Sequence, residues 1–452
     1  MLDMSLTSII ILTLNNLEKT KKCLVSIRKY THQPYELIIV DNGSTDGTIQ
    51  YLKKFPDIKL ICNKQNKGFA GGCNQGMKLA KGEQLLLLNN DTIVSHHWLD
   101  NLLKALYISP RIGMVGPLTN STNPPGVKKP ANVNYSNEVQ YHQLASRFNQ
   151  HDPSKWKAMQ VLYGFCLLLK REVFDKIGLM DERFTIGTAE DNDFCLRATR
   201  AGYTLLLAGD TLVHHDGHAS FKRNQINLRR IQSENIQKFV QKWGIQPSAL
   251  VRSQLDFIPD GLLVKGIGPA IYYIDRQLRR PIKDQETLNY LKFKQSDAIS
   301  VPNPKIQRYH VGEKIDKEVF SKKILNNFLV KSNDRDEIFL IQDDCKRLIK
   351  DKISLNYYGF LPQKIITLPN QIIESIQSGK NLESKIEFET QLPNLKVFKC
   401  FNTFYLSMNN SFYPIKKVSL EKLKLAPNKA IKISPQILYK FPIGKEIVYS
   451  WR

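Results

Sequence analysis

The residues with the clearest chemical potential in this 452-residue chain are the two amides and the carboxylate of Asn89-Asn90-Asp91. They follow the apolar run at 85–88, which is typical of a buried parallel strand. Open α/β sheets bind ligands where such strands end. Because side chains alternate along a strand, Asn89 and Asp91 should face one side as oxygen ligands for a hard cation, and Asn90 the other. A polar loop in which Asp91 caps a helix is the alternative.

Two further polar clusters lie downstream. Residues 190–193 place three acids in the first turn of a predicted helix, where the helix dipole favours acids whatever their function. Residues 214–218 hold three histidines after a predicted strand at 204–208. They could supply a metal ligand, although a packed or solvated histidine is commoner. A slip of one residue along an extended segment would exchange which of His214 and His215 faces a site.

A regular alternation of strand and helix patterns would position these clusters. Apolar runs at 6–14, 35–40, 58–62 and 85–88 alternate with helical patterns, which predicts right-handed βαβ units in a parallel, doubly wound α/β sheet. Their polar ends would meet at one edge, where amides and acids suit a base and ribose and helix N-termini suit a diphosphate. The predicted donor-binding residues are Thr13, Asn15, Asp41, Asn42, Ser44, Asn66, Gly68, Asn74, Asn89 and Asn90.

Four segments in order resemble the successive motifs of glycosyltransferase family 2. They are SIIILTLN at 8–15, VDNGSTD at 40–46, NKGFA at 66–70 and LNND at 88–91. The resemblance covers about residues 6–220. It implies the GT-A fold, which is Rossmann-like with a mostly parallel sheet. It also implies inverting, metal-dependent transfer of a hexose or deoxyhexose from a nucleotide-diphosphate sugar, in the synthesis of cell-surface polysaccharide or glycoconjugate.

The resemblance also implies a nucleotide and metal site. Asp41 would contact the nucleotide base, and Asp91 would be the metal-binding aspartate. His214 would complete the site for Mn²⁺ or Mg²⁺, with His215 as the alternative ligand. The chain departs from the family pattern at Asn89, where an aspartate often stands. A neutral amide there predicts weaker metal binding, or a site that depends on Asp91 alone.

For the reaction itself, the resemblance implies Asp191 as the catalytic base and Glu190 as the second choice. The base would take a proton from the hydroxyl of a glycan or lipid-linked acceptor. Residues 119–150 are rich in Asn, Ser and Pro and predict a lid or an acceptor-facing insertion. Residues 222–244 predict an amphipathic helix that closes a catalytic domain spanning residues 1–250.

The remaining part of the chain, residues 251–452, is predicted to be an α+β region of three repeats. The copies span about 261–318, 328–385 and 395–452, and each has a hairpin pattern, a short helix, a strand and a glycine. None holds an acid and histidine constellation. The repeats are expected either to bind glycan, a membrane surface or a partner protein, or to serve a structural role.

Composition limits the class of protein. The net charge of +23 predicts a basic surface suited to nucleotide diphosphates or anionic lipid, while the absence of an RNA-binding signature argues against nucleic acid. The longest apolar runs are too short to span a bilayer, and the N-terminus lacks signal-peptide features. We therefore expect a cytoplasmic protein, with peripheral contact at the inner face of the plasma membrane as an option. Seven scattered cysteines favour reduced thiols.

Two other classes of function remain open at this point. A nucleotidyltransferase also uses a parallel sheet and metal-binding acids, but the N-terminal region lacks a glycine-rich nucleotide loop followed by Arg. A non-catalytic protein that binds sugar nucleotides or glycans is the other alternative. The neutral Asn89 favours such a protein, and the candidate base and histidine argue against it.

Overall fold

The computed structural model describes residues 5–124, 127, 135–217, 227–252, 257–322 and 324–449. The chain divides into two compact units, Met1–Ser253 and Gln254–Arg452. Within the described ranges, no helix combines the length and the apolar character needed to cross a membrane.

The first half of the N-terminal unit alternates strand and helix as predicted. Its elements are β1 (Thr7–Thr13), α1 (Leu17–Tyr30), β2 (Tyr35–Asp41), α2 (Thr48–Leu52), β3 (Ile58–Cys62), α3 (Gly68–Leu79) and β4 (Gln84–Asn89). The β-branched residues of β1 are buried, and β1 pairs in parallel with both β2 and β4. Because Thr13 is opposite Asp41, and Leu12 is opposite Asn89, the carboxyl ends of three strands lie side by side.

The second half of this unit completes a mixed sheet. Its elements are β5 (Thr92–Ile93), α4 (Trp98–Leu106), β6 (Ile112–Thr119), α5 (Glu138–Phe148), a 3₁₀ turn (Pro153–Lys155), β7 (Lys157–Met159), β8 (Cys166–Lys170), α6 (Arg171–Ile177), α7 (Glu190–Arg200), β9 (Thr204–His215), α8 (Leu228–Trp243) and α9 (Pro247–Arg252). Among the described residues, nine strands form one sheet in the order β3-β2-β1-β4-β8-β6-β9-β5, with β7 beside β9. β8 runs antiparallel to β4 and β6.

Two strands differ from the sequence prediction in ways that matter for the site. The apolar run at 161–169 predicts a strand along its whole length, but the strand forms only from Cys166, and residues 161–165 precede it as an irregular segment. The strand predicted at 204–208 continues to His215, so the first two histidines lie in β9 and pair with β5. The region at 119–150 contains α5, and its residues 125–126 and 128–134 lie outside the described residues.

The predicted closing helix corresponds to α8. It ends at Gly244, whose φ of 69° gives the left-handed C-terminus typical of glycine. Its predicted start at 222 lies outside the described residues. Its buried side chains are Ile231, Asn235 and Phe239, and Phe239 packs in a cluster with Phe184. A polar residue, Asn235, therefore occupies the centre of the buried face.

The C-terminal unit contains three small sheets in succession. The first region comprises β10 (Leu263–Lys265), β11 (Ile271–Asp275), β12 (Leu278–Pro281), α10 (Gln285–Tyr290), a 3₁₀ turn (Gln295–Asp297), β13 (Ile299–Ser300), α11 (Asn303–Ile306), β14 (His310–Val311) and α12 (Lys317–Lys322). The second comprises β15 (Leu329–Ser332), β16 (Ile338–Gln342), β17 (Cys345–Ile349), α13 (Lys352–Tyr357), a 3₁₀ turn (Pro362–Lys364), β18 (Ile365–Leu368), α14 (Asn370–Ser375) and a 3₁₀ turn (Ile386–Phe388). The third comprises β19 (Val397–Cys400), β20 (Thr403–Met408), β21 (Ser411–Ile415), α15 (Lys417–Lys422), a 3₁₀ turn (Pro427–Lys429), β22 (Ile431–Lys432) and α16 (Pro435–Leu438).

These three sheets share one arrangement. In each, the first strand pairs antiparallel with the second and parallel with the strand that follows a short helix and a 3₁₀ turn. The second and third strands are joined by two residues that both have positive φ, the geometry of a type I′ turn. These turn residues are Arg276-Gln277, Asp343-Asp344 and Asn409-Asn410.

Candidate active site

A cavity of about 440 Å³ lies at the carboxyl ends of β1 and β4 in the N-terminal unit. The predicted site residues that line it are Thr13, Asn42, Asn66, Gly68, Asn89, Asn90, Asp91, Glu190, Asp191 and His215. Those that do not line it are Asn15, Asp41, Ser44, Asn74 and His214. The fold thus brings Asp91, the acids at 190–191 and His215 to a single cavity, although Asp91 and Glu190 are 99 residues apart in sequence.

The end of β4 has the alternation that the sequence predicts. Asn90 turns away from the other two polar residues, and its Nδ2 donates to the hydroxyls of Thr13 at 3.1 Å and Thr20 at 3.0 Å. Asn89 Nδ2 and Asp91 Oδ1 each lie 3.3 Å from the Nε2 atom of His215. Asn89 and Asp91 therefore share one side of the strand end.

The positions of the two histidine rings correct the prediction that His214 faces the site. His215 lies beside Asp91, and its ring stacks on Phe165 with centroids 4.8 Å apart. His214 instead contacts Asp216 at 3.3 Å and accepts or donates a hydrogen bond at the Tyr135 hydroxyl. Pairing with β5 determines this orientation, which sequence alone left open. His214 and Lys19 also hold the pKa of Asp216 below its usual range.

The group Asn89, Asp91 and His215 has the right chemistry for a divalent cation. It offers an amide oxygen, a carboxylate and an imidazole, which suit Mn²⁺ or Mg²⁺. In the part of the chain that the structure describes, no set of three or more His, Cys, Asp or Glu side chains is arranged to hold a metal. The protein ligands here are thus few, and a cation would need oxygens from a bound diphosphate as well.

The loop after β2 is built around Asp41, which is fully buried. Its Oδ1 accepts hydrogen bonds from the backbone N–H groups of Gly43 at 3.0 Å and Ser44 at 2.8 Å. Its Oδ2 is buried without a hydrogen-bond partner among the described residues. Ser44 Oγ accepts from Asn15 N at 2.6 Å, and Asn15 Oδ1 accepts from Thr45 N at 2.9 Å. Asn15 and Ser44 shape the loop and do not line the cavity.

The glycine-rich segment at the start of α3 is held by amides. Asn42 Nδ2 donates to Asn66 Oδ1 at 3.1 Å and to the carbonyl of Gly68 at 3.0 Å. Asn66 Oδ1 also accepts from Gly68 N at 2.8 Å. These contacts fix the N-terminus of a twelve-residue helix at the cavity, where its N–H groups can bind an anion.

Asn74 requires a correction, because its side chain is used within the protein. Its Nδ2 donates to the carbonyl of Met180 at 2.9 Å and to Glu182 Oε1 at 2.8 Å, and its Oδ1 accepts from Met180 N at 2.9 Å. Both ends of the amide are satisfied and buried. Asn74 therefore joins α3 to the segment after α6, and it is not available to a donor.

Glu190 and Asp191 are the first two residues of α7, and both line the cavity. Burial raises the pKa of Asp191 to about 6, against the opposing effect of hydrogen bonds from the N–H groups of Asn192 and Gly164. Burial and the charge of Asp191 raise the pKa of Glu190 well above its usual range. Glu190 Oε2 is buried and has no hydrogen-bond partner among the described residues. A carboxylate that titrates near neutral pH, as Asp191 does, is suited to general-base catalysis.

Sequence reasoning missed two segments that line the cavity. The first is residues 163–165, which were predicted as strand. Phe165 stacks on His215, while the Gly164 N–H contacts Asp191, so this segment links both parts of the site. The second is the turn at 186–189, which precedes α7. Its only sequence signal was a glycine close before the acid cluster.

Comparisons with known proteins find similarity to glycosyltransferases in the N-terminal part of the chain. The family described as Glycosyl transferase family 2 matches residues 8–178. Protein CgeD of Bacillus subtilis is 29% identical over 187 residues, which are 41% of this chain and 41% of that protein. The N-acetylglucosaminyl-diphospho-decaprenol L-rhamnosyltransferase of Mycobacterium tuberculosis is 27% identical over 225 residues, covering 44% of this chain and 73% of the relative. The chain thus spans less than half the length of the first of these relatives.

Among solved structures, one match is to the mannosyltransferase PcManGT from Pyrobaculum calidifontis in complex with GDP-Man and Mn²⁺. The two chains are 18% identical in the matched region, which covers 52% of this chain and 64% of the mannosyltransferase chain, and the TM-score is 0.38.

Proposed function

Because the chain belongs to glycosyltransferase family 2 through its residues 8–178, we propose that the N-terminal unit transfers a sugar from a nucleotide-diphosphate sugar to an acceptor hydroxyl, with inversion at the anomeric carbon. The observation that carries this proposal is the single cavity, where Asp91 and His215 meet at the strand ends and Asp191 lies at the start of α7. A cation-binding pair and a base are the two parts that such a displacement needs.

Asp191 is the base of the proposed reaction. Its carboxylate takes the proton from the acceptor hydroxyl, whose oxygen then forms a bond to the anomeric carbon. The bond from that carbon to the diphosphate oxygen breaks at the same time, and its electrons leave with the nucleoside diphosphate. Burial and the charge of Asp191 raise the pKa of Glu190 and favour its protonated form, which is suited to donating a hydrogen bond.

Asp91, His215 and Asn89 are the proposed ligands of Mn²⁺ or Mg²⁺, with His215 in place of His214. A divalent cation bound here would neutralise charge on the diphosphate of the donor. Asp91 supplies the only formal negative charge of the three, so the affinity for the cation should depend mainly on this residue and on the bound diphosphate.

The proposed donor site extends over the ends of β1 and β2. The nucleotide base is proposed to bind beside the loop after β2, with Asp41, which holds this loop, as its contact. The N-terminus of α3 at Gly68, held by Asn42 and Asn66, is suited to the diphosphate. The proposed acceptor is a glycan or a lipid-linked sugar in the synthesis of a cell-surface polymer, and the transferred unit is a hexose or deoxyhexose.

A panel of nucleotide sugars tests this proposal. The protein is incubated with each donor and Mn²⁺, and the released products are identified with and without EDTA. We expect one donor to release its nucleoside diphosphate only when the metal is present. Release of pyrophosphate would instead identify a nucleotidyltransferase. Saturable donor binding without turnover, across the panel and a set of glycan and lipid-linked acceptors, would identify a non-catalytic binding protein.

For the C-terminal unit, charge favours contact of the third sheet region with an anionic membrane at the cytoplasmic face. Residues 395–452 carry 11 Lys and Arg against 2 Asp and Glu, whereas residues 328–385 carry 9 against 8. Each basic residue near an anionic bilayer contributes about 1 kcal/mol of attraction. The exposed lysines of the third region include Lys416, Lys417 and Lys432.

Vesicle sedimentation tests this contact. The variant K416E/K417E/K432E should lose at least tenfold in binding to phosphatidylglycerol vesicles, since three attractive charges become repulsive. The matched control K350E/K352E/K385E changes exposed lysines of the second region by the same amount. Equal losses in both variants would show that only the net charge of the protein matters. If neither variant loses binding to the vesicles, the third region is not the contact.

A further inference from the structure

The catalytic acids follow a turn that is held in an unfavourable backbone conformation. Ile186, Thr188 and Ala189 have φ values of 62°, 80° and 70°, and Gly187 between them has a φ of 147°. Positive φ brings Cβ too close to the backbone, and the cost is greatest for β-branched residues such as Ile and Thr. A run of such residues persists only when the surrounding structure holds it.

One side chain donates hydrogen bonds to three backbone carbonyls of this turn. Asn235 of α8 is fully buried, and its Nδ2 donates to the carbonyls of Thr185 at 3.0 Å, Gly187 at 2.9 Å and Thr188 at 3.1 Å. Its Oδ1 accepts from Lys238 Nζ at 3.3 Å. This pattern defines the orientation of the amide, because the carbonyls can only accept and the ammonium group can only donate.

The opposite side of the turn packs against the donor site. A Cβ placed on Gly68 would lie 2.8 Å from the backbone nitrogen of Ile186, so only glycine permits this approach. Gly68 is the first residue of α3 and lines the cavity together with residues 186–191. The turn is therefore clamped between α8 and the start of α3.

A separate set of contacts holds the helix that follows the turn. Asp193 Oδ1 accepts a hydrogen bond from Trp243 Nε1 at 2.8 Å and forms an ion pair with Lys242 Nζ at 2.6 Å, and Asp193 Oδ2 accepts from Arg197 Nε at 2.9 Å. These groups join α7 to the end of α8 without involving Asn235. Removing the Asn235 amide should therefore release the turn while α7 stays docked.

We propose that Asn235 is a positioning residue of the active site, which holds the turn at 185–189 so that the carboxylate of Asp191 faces the acceptor. Asn235 does not itself line the cavity. The proposal rests on the transferase function proposed above. It also places a requirement of the site in α8, beyond the residues 8–178 that match the family.

The test compares Asn235→Ala with a matched control, Asn101→Ala. Asn101 is a buried asparagine on α4 whose Nδ2 donates to the carbonyl of Asn149 at 3.0 Å, away from the cavity lining. We expect Asn235→Ala to lower kcat about 100-fold, because displacement of a catalytic group by about 1 Å has an effect of this size. Binding of the nucleoside diphosphate with Mn²⁺ should change less than threefold. Asn101→Ala should lower Tm but keep kcat within threefold of the wild type.

An isosteric variant separates hydrogen bonding from packing. Asn235→Asp keeps the shape of the side chain but presents a carboxylate oxygen to carbonyl oxygens, so kcat should fall at least as far as in Asn235→Ala. Wild-type kcat in either Asn235 variant would overturn the proposal. An equal fall of kcat in Asn101→Ala would also overturn it, since general loss of stability would then explain the effect.

Amide hydrogen exchange provides a readout that needs no catalysis. In the free protein, Asn235→Ala should increase exchange in a peptide covering residues 183–192, while a peptide covering residues 84–91 should be unchanged. Unchanged exchange at 183–192 would contradict the positioning role. If the wild type transfers no sugar with any donor, the proposed function fails. A local increase at 183–192 would still support the role of Asn235 in holding the turn.

Discussion

The two parts of the active-site lining are built in different ways. Asn89 and Asp91 lie at the end of β4, a central strand that hydrogen-bonds with β1 on one side and β8 on the other. Glu190 and Asp191 follow a turn of four residues with positive φ that depends on side chains from another helix. The first position is fixed by backbone pairing, and the second by side-chain hydrogen bonds from α8 and by the close approach of Gly68 at the start of α3.

This difference indicates how each part responds to change. A substitution at the strand end alters charge and ligands but leaves the backbone in place, because the ladder on both sides of β4 does not involve side chains. A substitution near the turn can move the catalytic carboxylate without touching the cavity. The predictions below test this contrast, beginning with the largest effect.

Asp191→Asn should have the largest effect on activity. The amide cannot accept a proton from the acceptor, so we expect kcat to fall by about 10³-fold or more, within the upper range for a general base. Affinity for the donor should stay within threefold, because Asp191 is not among the proposed donor ligands. Steady-state transfer assays and titration with the nucleoside diphosphate measure the two effects. Asp175→Asn, an exposed position on α6, is the control and should behave as the wild type. Transfer by Asp191→Asn at the wild-type rate would rule out Asp191 as the base.

Substitution of His215 should have the next largest effect, on the affinity for Mn²⁺. His215→Ala should weaken the apparent affinity for Mn²⁺ by about 10- to 100-fold, because the ring nitrogen beside Asp91 is lost. His214→Ala removes a neighbouring ring that contacts Asp216, and should change the affinity for Mn²⁺ less than threefold. The measurement is activity as a function of Mn²⁺ concentration. If the His214 variant shows the larger change, the assignment of His215 at the strand end is wrong.

The pH dependence of kcat/KM should show the smallest effect, and it tells whether Asp191 or Glu190 is the base. With the pKa of Asp191 raised to about 6, kcat/KM should fall about tenfold for each pH unit below that value. Glu190→Gln should retain this acid limb in a pH–rate profile. Disappearance of the limb in Glu190→Gln would make Glu190 the base.

The same variant should also affect stability. Burial raises the pKa of Glu190, so the folded state binds its proton more tightly than the unfolded state does. Its contribution to the free energy of unfolding is therefore full below the unfolded pKa and is lost as the pH rises through the folded pKa. Glu190→Gln should stabilise the fold at a pH above the folded pKa and have little effect near pH 4, a difference that denaturant titration can measure.

The strand ends were predictable to a large degree because their signals are local. Apolar runs mark β1, β2 and β4, and polar residues that follow them reach the same edge in any parallel sheet. Alternation also assigned Asn89 and Asp91 to one side of β4 and Asn90 to the other. Asn74 was misread because its polar type in a glycine-rich segment does not reveal that Met180 and Glu182 satisfy its amide.

By itself, then, the sequence determined the strand and helix alternation and the edge where the polar residues collect, since hydrophobic periodicity and turn residues act over short distances. Asp91 and Asp191 were predicted as site residues through the resemblance to the family. The tertiary structure decided which histidine faces the cavity, because the orientation of His215 depends on pairing of β9 with β5. It also decided the role of Asn235, whose hydrogen bonds join residues about 50 positions apart. Contacts between distant segments follow from how elements pack, and no local pattern encodes them.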